Sequence, residues 1–184
     1  IMPAPCSYAP RLAGVPVLWN IMKIDIVSVF PEYFEVLNLS LLGKAQEKGL
    51  VEVTAHNLRD WTHDVHHSVD DTPVGGGAGM VMLAQPILDA MRSVTGDDFQ
   101  GRRIYLGPRG RTLSTAVARE LAQEKELVLL CGHYEGVDQR ALDTCIDEEI
   151  SIGDYILTGG ELAAMVLTDC VARFIPGVLG SAES

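Results

Sequence analysis

The sequence is poor in basic residues. Its 184 residues hold 14 Lys and Arg against 25 Asp and Glu, which gives a formal net charge of −11 at pH 7. Because phosphate binding needs a local excess of cations, this balance argues against a chain that coats nucleic acid by bulk positive charge. Arginines are concentrated in residues 101–120 and carboxylates in residues 135–154, a distribution that is compatible with one small basic patch.

Cysteines and long apolar runs are also scarce. The four cysteines form no C-x-x-C pair and lie at Cys6, Cys131, Cys145 and Cys170. This spacing argues against a disulfide framework and a structural zinc site, and it predicts a reducing, cytoplasmic compartment. Asp169, Arg173 and Pro176 interrupt the longest apolar candidate, residues 162–179. We therefore expect no membrane-spanning segment, which needs about 18 apolar residues or more.

Phosphate-binding and metal-binding motifs are missing as well. The glycines of residues 75–79 do not spell G-x-G-x-x-G, and no G-x-x-x-x-G-K-[ST] motif occurs, so a nicotinamide or nucleoside triphosphate site is not expected. Four histidines lie near one another in sequence, at His56, His63, His66 and His67. They lack the H-E-x-x-H helix context, so surface positions or substrate contacts are favoured over a metal site.

Strand and helix patterns alternate from Met22 onward. Apolar and β-branched segments predict strands at residues 23–30, 51–57, 103–106, 127–131 and 149–152. Helices are predicted at residues 33–48, 85–94, 115–124 (with Ser114 as N-cap), 141–146 and 160–174, with a loop at 59–80. This alternation predicts an α/β fold with a mainly parallel sheet and flanking helices.

Residues 1–21 differ from the rest of the chain. They hold four of the nine prolines and Arg11 as their one charged residue. Their apolar stretch is short and is broken by Pro16, which argues against a signal peptide. We expect Met22 to be the natural start and residues 1–21 to be an extension with little structure.

Three predicted strand ends carry glycine next to aromatic or polar residues. They span residues 105–110, 132–136 and 152–160. Parallel α/β sheets bind ligands at the carboxyl ends of their strands, and glycine lets the backbone approach a flat ligand closely. Three such loops could hold an adenine or a similar ring through main-chain hydrogen bonds. The alternative is that these glycines only turn the chain.

Longer motifs carry a family resemblance. They are Thr62-His63-Asp64, Val69-Asp70-Asp71, Gly75-Gly76-Gly77, Gly79-Met80, Cys131-Gly132, Tyr134-Glu135-Gly136-Val137-Asp138, Ser151-Ile152-Gly153-Asp154-Tyr155, Gly159-Gly160-Glu161 and the run from Arg173 to Gly180. Because these motifs occur in the same order as in the family, the sequence resembles the bacterial tRNA (guanine-N1-)-methyltransferases of TrmD type, in the SPOUT superfamily. The resemblance implies a SPOUT domain at residues 22–180 with a trefoil knot near its C-terminal half, a rare exception to unknotted folding. Residues 181–184 would begin an interdomain linker.

The resemblance also implies a cofactor, a partner and an ion. S-adenosylmethionine would bind in a bent shape in the three glycine loops, and two copies of the chain would form a homodimer with active sites between the subunits. Magnesium dependence is a family trait, which we associate with Glu135. The cofactor residues that the resemblance implies are Tyr105, Leu106, Pro108, Gly132, Tyr134, Glu135, Gly136, Ile152, Gly153, Asp154, Tyr155, Ile156, Leu157, Gly159 and Gly160.

The implied reaction is methylation of N1 of the guanine 3′ of the anticodon, position 37 of tRNA. Guanine N1 carries a proton, so a base must remove it and a cation should stabilise the charge that moves onto O6. The resemblance gives the cation role to Arg173 and substrate contacts to Asp70, Gly77 and Gly79. The bland alternative for Arg173 is an i,i+4 ion pair with Asp169.

Two family features have no counterpart in the sequence. The family base is an aspartate of the interdomain linker, and a C-terminal domain grips tRNA. We therefore expect this chain alone to be inactive and to bind tRNA weakly. The alternative function is a cofactor-binding dimerisation module of that enzyme, and an unrelated flavodoxin-like binding protein is a third hypothesis.

Four positions depart from the usual family pattern. Val74, Ala78, His133 and Ala163 stand where Tyr, Pro, Arg and Pro are common. The first two affect the expected geometry of the glycine segment. His133 removes a fixed positive charge beside a cofactor loop, so we expect mildly pH-sensitive cofactor binding.

Overall fold

A five-stranded parallel sheet forms the centre of the molecule. The computed structural model describes residues 21–73, 76–77 and 79–180. The strands are β1 (Met22–Ser28), β2 (Val51–Asn57), β5 (Arg102–Thr112), β6 (Glu126–Cys131) and β7 (Glu148–Ser151). Their order is β2-β1-β6-β5-β7, and each neighbouring pair is parallel. The predicted α/β class and mainly parallel sheet are confirmed.

Helices cover both faces of this sheet. They are α1 (Ser40–Glu47), α2 (Ala84–Thr95), α3 (Thr115–Leu121), α4 (Gln139–Cys145) and α5 (Glu161–Ala172), with 3₁₀ helices at Pro31–Asn38 and Leu58–Trp61. Helices α1, α3 and α5 pack on one face, and α2 and α4 pack on the other. Strand β6 shows why: Leu127 and Leu129 face the first core, whereas Val128 and Leu130 face the second, as the two-residue period of a strand requires.

The prediction of one continuous helix over residues 33–48 is wrong. The chain forms the 3₁₀ helix Pro31–Asn38, becomes extended at Leu39 (ψ 164°) and only then enters α1. Ser40 has a positive φ of +56°. A Cβ at Gly43 would overlap the carbonyl of Asn38, so the break lets two backbone segments approach more closely than a side chain would permit.

Strand β5 and the region 59–80 also differ from their predictions. The predicted strand ended at Leu106, but β5 continues to Thr112 through a bulge in which Leu106 and Arg111 both pair with Ile150. The predicted loop contains two short elements: the 3₁₀ helix Leu58–Trp61, and β3 (Asp70–Asp71), which pairs antiparallel with β4 (Val81–Met82). Bulges and two-residue strands depend on distant partners, so local patterns do not show them.

Three smaller predictions can be compared with the structure. The Ser114 side chain caps α3 by accepting a hydrogen bond from the N–H of Val117 (3.3 Å). Cys131, Cys145 and Cys170 are free thiols, and Cys6 lies outside the described residues, as do residues 1–20 and 181–184. In the described part of the chain, no helix has both the length and the apolar character that crossing a membrane requires.

Candidate functional site

A cleft of about 410 Å³ opens where β5, β6 and β7 end. The three glycine loops converge on it, because β5, β6 and β7 are parallel neighbours. The segment 105–110, predicted to follow a strand, lies instead at the bulge inside β5. Of the residues predicted for the cofactor, Asp154 is exposed and does not line the cleft. The others do: Tyr105, Leu106, Pro108, Gly132, Tyr134, Glu135, Gly136, Ile152, Gly153, Tyr155, Ile156, Leu157, Gly159 and Gly160.

The second and third loops are joined through their backbones. The N–H of Gly160 donates to the carbonyl of Gly132 (2.8 Å), and His133 forms an antiparallel bridge with Gly159. A Cβ at Gly160 would lie 2.8 Å from the Cα of Cys131, a separation that side chains do not tolerate. Glycine at this position therefore lets the start of α5 lie directly against the end of β6.

The first loop is held by Glu149 of β7. Its carboxylate accepts a hydrogen bond from the N–H of Arg109 (3.1 Å), and a Cβ at Gly107 would overlap it. Burial, together with the Glu149 charge, raises the pKa of the Tyr105 hydroxyl. The hydroxyl therefore stays protonated at neutral pH. The cleft is therefore lined by the neutral phenol of Tyr105 from this loop and by the Glu149 carboxylate from β7.

The third loop forms a compact turn after β7. The N–H of Tyr155 and the hydroxyl of Ser151 both donate to the carbonyl of Gly153 (3.0 Å each). The Tyr155 hydroxyl donates to the carbonyl of Ile152 (3.3 Å). These bonds leave the Ile156 side chain 79% exposed at the cleft, where it offers apolar surface to a ligand.

The glycine segment reaches the second loop from outside. The N–H of Glu135 donates to the carbonyl of Met80 (2.9 Å), and a Cβ at Gly79 would overlap the Glu135 side chain. Asp70 pairs with Met82, next to this contact. Gly79 and Asp70 therefore lie beside the cleft loops, whereas a Cβ at Gly77 would contact Pro73 (3.6 Å) among the described residues. Val74, Gly75 and Ala78 are outside the described residues.

Comparison with known proteins supplies the family. The model of the family described as tRNA (Guanine-1)-methyltransferase TrmD matches residues 22–184. The chain belongs to this family. A tRNA (guanine-N(1)-)-methyltransferase of Ruminiclostridium cellulolyticum is 53% identical over 165 residues, 89% of this chain and 71% of the relative. Proteins of the same name from Clostridium novyi and Clostridium tetani are 50% and 52% identical, over 89% and 88% of this chain and 67% of each relative.

Arg173, the cation expected in this tRNA methyltransferase family, lies far from the cleft of its own chain. The cleft adjoins the start of α5, whereas Arg173 follows the last residue of that helix. Twelve residues at 1.5 Å each separate the two ends by about 18 Å. Arg173 is exposed, and among the described residues its side chain makes no ion pair with Asp169 within 4.0 Å. The alternative of an i,i+4 pair is therefore not supported.

The arginines of residues 101–120 are mostly neutralised. Arg102 contacts three carboxylates within 2.9 Å, those of Glu120, Glu124 and Glu148, and Arg103 pairs with Asp147 at 2.8 Å. Hydrogen bonds from Arg111 and Arg102 lower the pKa of Glu120 to about 2. The patch therefore offers less positive charge to a polyanion than its sequence indicates.

The histidines do not converge. His56 contacts Asp25 (2.6 Å), His63 contacts Asp89 (3.3 Å), and His67 contacts the hydroxyl of Thr62 (3.0 Å). Within residues 21–73, 76–77 and 79–180, no three His, Cys, Asp or Glu side chains are grouped in a way that could hold a metal ion.

Sequence reasoning missed two carboxylates at the cleft. Sequence patterns place Glu149 only within the acidic segment 135–154 and Glu161 only within the motif Gly159-Gly160-Glu161, and they assign neither residue a role at the cleft. Glu161 is buried (3% exposed) behind the cleft, where it accepts a hydrogen bond from Ser28 (2.8 Å). The one available signal was a carboxylate directly after Gly159-Gly160 at the start of an apolar helix, where the helix dipole favours an anion.

Proposed function

We propose that this chain binds S-adenosylmethionine in the glycine-loop cleft and methylates N1 of guanine 37 in tRNA. The observation that carries the proposal is the convergence of the three loops on one cleft in a chain of the TrmD family. The cleft volume of about 410 Å³ is in the range for small-molecule sites. The residues fit the cofactor, because a Cβ at Gly132 would lie 2.8 Å from the Tyr105 hydroxyl and would narrow the cleft.

Each part of the cleft has a role in this proposal. Backbone N–H and C=O groups of the three loops would bind the adenine ring, and Leu106 and Ile156 would supply apolar contacts. When bound, S-adenosylmethionine supplies a methyl group on a positively charged sulfur. Of the residues that depart from the family pattern, His133 and Ala163 line the cleft, and Ala163 also belongs to the buried core.

The reaction requires more than one chain can bring together. Arg173 would stabilise the negative charge that moves onto O6 of guanine when the family's linker aspartate, which has no counterpart in this sequence, takes the N1 proton. Because α5 holds Arg173 about 18 Å from the cleft end of the helix, we propose a homodimer in which one copy's Arg173 serves its partner's cleft. Asp70, Gly77 and Gly79 are the proposed contacts for the target nucleotide.

Further parts of the proposal follow from the family. They are a SPOUT domain over residues 22–180 with its trefoil knot and, since tRNA is the substrate, a cytoplasmic location. Among the described residues no three His, Cys, Asp or Glu side chains are grouped to hold a metal ion, so any magnesium that the family trait implies would be held by Glu135 together with water. Affinity for tRNA would be weak, because most arginines of residues 101–120 already contact carboxylates.

The proposal is tested by separate binding and transfer measurements. Calorimetry with S-adenosylmethionine should give one site per chain. Once the linker aspartate and C-terminal domain of a relative are joined to this chain, labelled methyl should pass to unmodified tRNA carrying G37 but not to the same tRNA carrying A37, because that aspartate is the family base. Arg173→Ala should keep cofactor affinity and lose about 100-fold or more of any transfer. Arg119→Ala is the matched control, since Arg119 is an exposed arginine that stacks on Phe174 (5.0 Å). Binding without transfer would favour the dimerisation module, and absence of binding would overturn the proposal.

A further inference from the structure

A buried carboxylate lies directly behind the cleft. Glu161 is 3% exposed and is the first residue of α5. Its Oε1 accepts a hydrogen bond from the hydroxyl of Ser28 (2.8 Å), which in turn accepts one from the N–H of Phe30 (2.9 Å). A Cβ at Gly159, a residue that lines the cleft, would overlap Oε2 of Glu161. The Glu161 carboxylate therefore lies directly beside the backbone of a residue that lines the cleft.

The charge of Glu161 is incompletely neutralised. Among the described residues, the basic nitrogen within 4.0 Å of its carboxylate is Nδ1 of His133, at 3.8 Å, which exceeds hydrogen-bond distance. That nitrogen is itself buried and has no hydrogen-bond partner in the described part of the chain. The other titratable group facing Glu161 is the Cys131 thiol, whose pKa is raised by burial and by the Glu161 charge. The Cys131 thiol is therefore neutral and supplies no positive charge.

The position of Glu161 makes its charge effective in the cleft. Glu135, Glu149 and Arg109 also line the cleft, but each is partly or fully exposed and is therefore screened by water and salt. A buried charge is screened much less.

We propose that Glu161 is a specificity-determining residue that favours a ligand with a positively charged sulfur over its neutral thioether. The inference rests on the proposed function, in which S-adenosylmethionine occupies the cleft. When the methyl group leaves, the electron pair of the broken C–S bond stays on sulfur, so the product S-adenosylhomocysteine has lost the sulfonium charge. Glu161 therefore strengthens donor binding relative to product binding and assists product release.

The expected size follows from Coulomb's law. We take the Glu161 carboxylate and the ligand sulfonium as unit charges about 10 Å apart. At an effective dielectric constant of about 20 to 40, their attraction changes the ratio of the two dissociation constants by about fourfold to fifteenfold. Glu161→Gln keeps the size of the side chain and its acceptor for Ser28 but removes the charge. It should lower the ratio of the two dissociation constants, S-adenosylhomocysteine over S-adenosylmethionine, by at least threefold, mainly through weaker S-adenosylmethionine binding.

The experiment is calorimetric titration of wild type and three variants with both ligands. His133→Arg adds a fixed cation beside Glu161 and should lower the ratio in the same direction. Ser28→Ala removes the hydrogen bond but keeps the charge, so it should lower the Tm and leave the ratio within twofold. If Glu161→Gln does not fold, Glu161→Leu, which also removes the charge, decides, because an arginine at position 133 lines the cleft and acts on the ligand by itself.

The outcomes separate this inference from the function on which it rests. An unchanged ratio in Glu161→Gln, with both ligands bound, would overturn the role of Glu161 and leave the cofactor site intact. A wild-type chain that binds neither ligand would instead overturn the proposed function, and the selectivity with it. A ratio that falls equally in Ser28→Ala would show a general loosening of the loops and would also overturn the inference.

Discussion

Gly79 and Gly76 form a matched pair that tests whether the glycine segment supports the cleft. Their φ angles are +86° and +84°, so alanine at either position meets the same unfavourable backbone conformation. The surroundings differ. A Cβ at Gly79 would overlap the Glu135 side chain, whereas no heavy atom of the described residues outside its chain neighbours lies within 4 Å of a Cβ at Gly76. The two alanine variants therefore share the strain and differ in one contact.

The magnitudes can be worked out in two parts. Left-handed strain of about 1–2 kcal/mol, less about 0.4–1 kcal/mol from a more restricted unfolded chain, leaves a loss of about 1 kcal/mol in either variant. For a chain of this size that loss is about 2–4 °C in Tm. Only Gly79→Ala also displaces the Glu135 side chain from the cleft. Losing one hydrogen bond to a charged group, about 1.5–3 kcal/mol, weakens ligand binding by about tenfold or more.

The assay is thermal unfolding and calorimetric binding of S-adenosylmethionine for both variants. We expect similar Tm values, with the affinity reduced in Gly79→Ala alone. Because the three heavy atoms nearest to the Gly79 Cβ all belong to the Glu135 side chain, Glu135→Ala removes the overlap. The double variant should then bind like Glu135→Ala, which is non-additive behaviour. Equal affinities in Gly79→Ala and Gly76→Ala would refute the coupling between the glycine segment and the cleft.

Three further predictions concern stability and charge. A hydrogen bond from Arg103 lowers the pKa of Asp147 below its ordinary 3.8, so this pair stabilises the fold above about pH 5 and the stabilisation is lost as pH falls through the lowered pKa. In pH-dependent urea unfolding, Asp147→Asn should therefore have a lower free energy of unfolding than wild type at pH 7 and the same value near pH 2. The exposed Asp97→Asn should match wild type at both pH values. A difference between Asp147→Asn and wild type that persists at pH 2 would contradict the prediction. Leu129→Ala, at a fully buried position, should lower the free energy of unfolding measured in urea by about 2–5 kcal/mol. Val65→Ala, whose wild-type side chain is 91% exposed, should change it by no more than about 0.5 kcal/mol. A tRNA titration at physiological salt should give a Kd no tighter than about 10⁻⁶ M. Tighter, salt-sensitive binding would contradict this, because it would show that enough arginines are free to contact phosphates.

The sheet was predictable because its strands carry the information locally. The strand at residues 51–57 has its predicted bounds, and the apolar run at 127–131 is the central strand β6. Fully apolar segments bounded by glycine are typical of strands buried on both faces. The convergence of the three loops followed from the same pattern, since parallel strands place their carboxyl ends together.

What local patterns could not give depends on contacts between distant residues. The break at Leu39 follows from the close approach that Gly43 allows, and helical spacing alone does not report it. Glu161 is buried by contact with Ser28, 133 residues earlier in the chain. The ion pairs of Arg102 join three elements, so the apparent basic patch could be recognised as neutralised only once the chain was folded.

The central place of β6 also determines when this molecule can fold. Strand β1, the first in the chain, pairs with β6 along Lys23–Val27 and Glu126–Leu130, so the middle of the sheet joins segments about a hundred residues apart. During synthesis β1 can pair with β2 early, but it must wait for most of the domain before its second edge is covered. Pairings between such distant segments make folding slow and leave strand edges exposed to other chains in the meantime. A chain released before β6 emerges would therefore carry an open, apolar strand edge, and aggregation during expression should fall sharply once residue 131 is included.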